Sequence, residues 1–253
     1  IVTGDWSSDV CSSDLVMNLA VWSGPRNIST ALMYSFGNRD DFEIIDEPFY
    51  AHYLIETGLD HPMRKEIILS QPENVTTVIN NLTKDRSNMG KNLYQKHMTH
   101  HMVNSVPRDW FNQVKHVFLL RHPVRVISSF SKKYKNVSAD DIGFKKQVEL
   151  FSEILKRGLD PIVVNSEDIR KEPEETLTKL CERLNLRFQK SMLSWPMGGN
   201  KQDGVWASHW YESAHKSTGF SGPEDILPNL EGDNAMLAEA SLPLYRSLLK
   251  FAI

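Results

Sequence analysis

Short runs of consecutive apolar residues, each closed by a polar residue or a glycine, recur at 18–24, 42–46, 92–96, 116–120 and 161–165. Runs this short, bounded by turn signals, read as strands buried on both faces. Between them, apolar positions recur at three- and four-residue intervals over 73–82, 139–157 and 173–186, which predicts amphipathic helices. Further helices are expected over 29–36, from Pro123 onward, and over 234–251. Pro173 suits the first turn of its helix, and Glu174 and Glu175 behind it favour the positive helix end. Strands alternating with helices imply an α/β fold: a single domain with a parallel sheet of about five strands, helices on both faces, and ligands at the carboxyl ends of the strands. The segment 198–228 is rich in Gly, Ser and Trp and weakly periodic, so it reads as a long functional loop or lid that orders with nucleotide bound.

Residues 5–15 follow neither period and resemble translated sequencing adaptor. Residues 1–16 are therefore expected to be a non-native or disordered leader, with the domain at 17–253. The leader has acidic residues and no apolar core, so a secretory signal is not expected. Of two cysteines, Cys11 falls in the leader, leaving Cys181 and no disulfide framework. With 40% apolar residues the chain can bury a sizeable core. A net charge of -3 provides no global basic field for nucleic acid or an anionic membrane, so any anion must be caught by a local site. No run reaches the roughly 18 apolar residues of a spanning helix. These features together predict a cytoplasmic location, with a small-molecule partner rather than nucleic acid or membrane; they do not address oligomeric state.

The first strand leads through Ser23-Gly24-Pro25-Arg26-Asn27-Ile28-Ser29-Thr30 into a helix. That layout suits a phosphate cradle, in which backbone N–H groups and a helix N-terminus face an anion, with a cation and two hydroxyls beside it. It is not a Walker A sequence, which requires Gly-Lys-Ser/Thr after its spacer. The fourth strand ends in Arg121-His122-Pro123, and Ser129 lies eight residues beyond Arg121. An arginine that forks to phosphate, with a nearby hydroxyl, makes a second anion site. Two such sites on adjacent strand ends suit a nucleotide phosphorylated at both its 5′ and 3′ positions.

These residues resemble the P-loop-type sulfotransferases that use 3′-phosphoadenosine 5′-phosphosulfate (PAPS), with spacing similar to the tyrosylprotein and heparan types and to bacterial small-molecule members. The resemblance spans about 19–188 and rests on three motifs in order: Gly24-Pro25-Arg26-Asn27-Ile28-Ser29-Thr30, then Arg121, Pro123 and Ser129, then Ser166-Glu167-Asp168-Ile169 through Cys181. It implies that the loop holds the 5′-phosphosulfate and that Arg121 and Ser129 hold the 3′-phosphate, with Lys133 as a further basic ligand. The carboxyl-terminal glycine-and-lysine loop of the cytosolic members has no clean match. Lys216 and Ser217 lie in the corresponding region and are expected to supply analogous contacts.

Sulfuryl transfer requires a base for the acceptor and a positive group for the leaving phosphate. Arg26 fits the second role. For the base, the resemblance implies Glu47, 21 residues after Arg26 and following the second strand, or His97 at the end of the third. If helical, His97, His100 and His101 would share one face in a metal-capable arrangement, but no His-Glu-x-x-His pattern or acidic fourth ligand accompanies them, and no metal is predicted. Phe49, Tyr50, Tyr53, Trp206, Trp210 and Tyr211 are expected to wall the acceptor pocket. Two other readings remain open: an ATP-dependent P-loop kinase or nucleotide hydrolase, and a catalytically silent nucleotide-binding module.

Overall fold

The computed structural model describes residues 16–134, 136–224 and 226–253. The reading of residues 1–15 as a leader, Cys11 included, falls outside them. Five strands form one sheet among the described residues: β1 (Asn18–Ser23), β2 (Phe42–Asp46), β3 (Asn92–Met98), β4 (Lys115–Leu120) and β5 (Ile162–Asn165). Their order is β2-β3-β1-β4-β5, and every pairing is parallel.

The continuous apolar runs are explained by cover on both faces. Alternate residues of a strand point to opposite sides. Leu19 and Val21 of β1 therefore join one core with Leu32, Met33 and Phe36 of the helix Ser29–Gly37 and with the helix Pro173–Arg183. Ala20 and Trp22 join the other, beneath the helices Pro123–Ser131, Phe144–Lys156 and Gly232–Leu249. This is a single α/β domain. Because β1 is flanked by β3 on one side and β4 on the other, the connections leave its carboxyl end in opposite directions and open a crevice there.

Most elements lie within a few residues of expectation, and the differences have local causes. The helix expected over 139–157 is broken into Ala139–Ile142 and Phe144–Lys156 by Gly143, whose φ of +73° is left-handed. A Cβ on Gly143 would meet Thr99 Oγ1 at 2.9 Å, and the same position lies 3.6 Å from the Gly24 Cα. The break thus seats this turn against the loop after β1. Within 198–228 there are two short helices, Ala207–Trp210 and Glu212–His215, and the segment contributes Trp206 and Tyr211 to the core.

Candidate active site

Gly24 begins the loop after β1 because nothing larger fits. A Cβ there would stand 2.5 Å from the Ile142 carbonyl oxygen. The loop then turns through two left-handed non-glycine residues, Arg26 at φ +61° and Ile28 at φ +56°. Such conformations cost on the order of 1 kcal/mol each and persist where surrounding contacts impose them. Asn27 Nδ2 donates to the Gly24 carbonyl at 3.0 Å, and Arg121 Nη1 donates to the Arg26 carbonyl at 2.6 Å. The helix Ser29–Gly37 that follows has no side-chain cap and no acidic residue in its first turn, so its N-terminus offers unpaired N–H groups.

The two motifs separated in sequence meet here. Arg26 Nε donates to Ser129 Oγ at 2.9 Å. Burial, and then the neighbouring Arg121 charge, push the Arg26 guanidinium below its ordinary pKa. Arg121 itself is buried, and its Nε has no partner among the described residues. The helix carrying Ser129 is started by Pro123 and by the His122 side chain, which accepts from the Val124 N–H. A cleft of roughly 430 Å³ lies against Pro25, Arg26, Asn27, Ser29, Thr30, Arg121 and Ser129.

The same cleft reaches Glu47 and Lys96. Register places Asp46 of β2 opposite Lys96 of β3, and Glu47 follows at a left-handed φ of +41°, its N–H bonded to the Lys96 carbonyl. Lys96 Nζ donates to Asp46 Oδ1 at 2.9 Å and to Glu47 Oε1 at 2.5 Å. The Tyr211 hydroxyl bridges both carboxylates, 2.8 Å from Asp46 Oδ2 and 3.2 Å from Glu47 Oε1, and accepts from Trp206 Nε1. Burial raises the Glu47 pKa; Lys96 opposes this and the Asp46 charge adds to it. Burial would lower the Lys96 pKa, but the two carboxylates outweigh it and keep the ammonium protonated. Glu47 is therefore a carboxylate whose proton affinity lies above the ordinary range, with Oε1 held and Oε2 free of that network. His101 Nδ1 lies 4.0 Å from Oε2.

His97 is corrected by the geometry. It lies on the opposite face of β3 from Lys96, stacked on Trp22 with ring centroids 4.4 Å apart and bonded to Gln95, and it does not line the cleft. Burial pulls its pKa down to about 3, so the ring is a neutral core group. Because His97 is in a strand while His100 and His101 occupy the 3-10 turn Thr99–His101, the shared histidine face does not form. Among the described residues no group of three or more His, Cys, Asp or Glu is placed to hold a metal.

Other expected ligands divide. Ser217 lines the cleft and accepts from Trp195 Nε1. Lys216 instead points outward to Glu212, and Lys133 donates to the His209 carbonyl beside the Trp210 ring, so neither lines the cleft. Of the aromatic residues, Tyr50, Tyr53, Trp210 and Tyr211 line it. Phe49 packs in the other core against Trp110 and His97, and Trp206 is buried behind Tyr211. Sequence reasoning gave no role to Lys96, Arg170 or Glu224. A lysine inside a run otherwise buried on both faces was the available signal for Lys96, since such a charge requires a partner.

A family model described as Sulfotransferase domain matches residues 17–252. The chain is 38% identical over 227 residues to branched-chain-amino-acid aminotransferase-like protein 1 of Arabidopsis thaliana, and 36% identical over 229 residues to protein 2 of the same name. Each alignment covers 90% of this chain and 40% of the relative, so the chain spans well under half the length of these curated relatives, and their name describes those longer proteins. The solved structure titled Sulfotransferase Domain from the Curacin Biosynthetic Pathway superimposes with a TM-score of 0.55 at 17% identity, covering 89% of this chain and 97% of that one, a likeness of fold.

Proposed function

The chain belongs to the sulfotransferase domain family, and from that premise we propose that it moves a sulfuryl group from PAPS to a hydroxyl or amine of a small acceptor. The observation that carries this reading is a single cleft bounded by both anion motifs and by the Glu47–Lys96 pair. When bound, the donor supplies an electrophilic sulfur and a phosphate leaving group.

The protein's own residues account for the remaining chemistry. The loop N–H groups and the helix N-terminus at Ser29 receive the 5′ anion, and Arg121 with Ser129 receives the 3′-phosphate. Arg26, held by Ser129, neutralises charge developing on the leaving oxygen in this reading. Glu47 Oε2 accepts the acceptor's proton, and Lys96 holds the carboxylate in place through Oε1. Asp46 balances the Lys96 charge, so that the ammonium does not strip Glu47 of basicity. The neutral aromatic walls of Tyr50, Tyr53 and Trp210 exclude water from the reacting groups. Among the described residues no helix is long and apolar enough to cross a membrane.

Calorimetric titration with 3′,5′-adenosine diphosphate, and separately with ATP and Mg²⁺, tests the donor. Binding of the 3′-phosphorylated nucleotide that is lost in Arg121→Ala supports the reading. Preference for ATP would favour a kinase, although Arg121 stands at the end of β4 where a Mg²⁺-holding carboxylate would be needed.

A further inference from the structure

The segment that follows the cleft-lining Ser221 carries a carboxylate to the arginines around the end of β4. Both Glu224 oxygens accept from Arg121 Nη2, at 2.7 and 2.9 Å. The same carboxylate lies 3.7 Å from Arg170 Nη1 and 3.8 Å from Arg125 Nε. The backbone beside it is strapped to the same cations. Arg125 donates to the carbonyls of Glu224 and Ile226, and Arg170 Nε donates to the Gly222 carbonyl. Among the described residues, one other carboxylate touches the three guanidinium groups, Glu167, at 3.1 Å from Arg125 Nε. The Arg121 and Arg125 side chains are 10% and 6% exposed.

Resting on the PAPS reading above, we propose that Glu224 is a built-in competitor for the donor's 3′-phosphate: its carboxylate occupies Arg121 until the nucleotide displaces it. The chemistry favours that exchange. A phosphate monoester carries about -1.5 to -2 charges and three acceptor oxygens, against one charge and two oxygens for a carboxylate. A carboxylate tethered beside its arginines competes at a high effective concentration, so it weakens apparent nucleotide affinity by the fraction of molecules it holds closed. In the free protein it also keeps three guanidinium groups from repelling one another and from collecting other anions. Gly222, Glu224 and Ile226 are bound to Arg170, Arg121 and Arg125, so release of the carboxylate removes one of the ties that hold the segment after Ser221, and donor binding is coupled to its movement.

Glu224→Gln keeps the shape and removes the charge; Glu224→Ala removes both. Titration of each with 3′,5′-adenosine diphosphate is expected to give binding about tenfold or more tighter than the parent protein. Affinity for 5′-AMP, which lacks the competing phosphate, is expected to stay unchanged. On the unmodified protein, cleavage after Glu224 by a glutamate-specific protease is expected to quicken when 3′,5′-adenosine diphosphate binds, the opposite of the ordering expected for 198–228 from the sequence, and to be unaffected by 5′-AMP, a measurement that stands even where a variant folds poorly. Equal 3′,5′-adenosine diphosphate binding by parent and variants, or slowed cleavage, overturns the competitor role while leaving the donor reading intact. Absence of binding by parent and variants alike overturns both.

Discussion

Lys96 Nζ reaches Glu47 Oε1 at 2.5 Å from a neighbouring strand, and the same ammonium holds Asp46 at 2.9 Å. One buried cation thus serves two adjacent carboxylates that differ in exposure to the cleft, since Glu47 lines it and Asp46 does not. Glu47→Gln removes the proposed proton acceptor while keeping a group for Lys96 to hold. Turnover is expected to fall by about 10²- to 10⁴-fold with nucleotide affinity unchanged. His97→Gln, on the opposite face, is expected to lower stability and leave the turnover of the folded fraction intact. Steady-state rates beside nucleotide titration check both, and unchanged turnover in Glu47→Gln would remove the base assignment.

The raised Glu47 pKa sets the direction of the pH profile. A base works only when deprotonated, so kcat/KM is expected to fall as pH drops through a value above the ordinary carboxylate range. A rate profile whose acid limb lies within the usual glutamate range would contradict the environment described for Glu47.

Buried neutral histidines make the fold acid-sensitive. Burial lowers His97 to about 3 and His100 and His116 to about 4, from 6.5. Below 6.5 the unfolded chain therefore takes up protons that the folded chain refuses, and stability falls as pH falls toward 4. The slope approaches about 1.4 kcal/mol per pH unit for each such histidine. Urea midpoints measured from pH 7 to pH 4.5 are expected to decline steadily; midpoints flat across that interval would count against neutral burial of these rings.

Gly24→Ala drives a methyl group to 2.5 Å from the Ile142 carbonyl oxygen, where backbone must shift to receive it. The expected cost is about 1–3 kcal/mol, with loss of nucleotide binding as the loop is displaced. Thermal unfolding and titration together check this, and a variant with parental affinity would show that the loop tolerates the movement.

Tyr211→Phe deletes a hydroxyl shared by Lys96, Asp46, Glu47 and Trp206. Leaving those buried groups short of a partner is expected to cost about 1–3 kcal/mol. It also removes one hydrogen bond that favours ionised Glu47, so the acid limb of the rate profile is expected to move to higher pH.

The loop from Gly24 to Thr30 and the Arg121–Ser129 pair were legible because their spacing is local: strand, turn and helix start are consecutive in the chain. Both-face burial was likewise written in the uninterrupted apolar runs of β1 and β4. Glu47 and His97 could not be separated at that level. Glu47 follows β2 and His97 lies within the neighbouring β3, and which face of β3 meets the cleft depends on the helices and the 198–228 segment that cover it.

The sequence by itself determined the alternation of buried strands and amphipathic helices, the place of each motif at a strand end, and through them the α/β class. The tertiary structure alone decided that Lys96 and not His97 faces the site, that Lys133 and Lys216 turn away from it, and that Glu224 rests on Arg121 across 103 positions. The physical reason is range. Propensity and periodicity act between near neighbours, whereas the pairing of a charge with its partner is fixed only when sheet register and layer packing bring distant segments within hydrogen-bond distance.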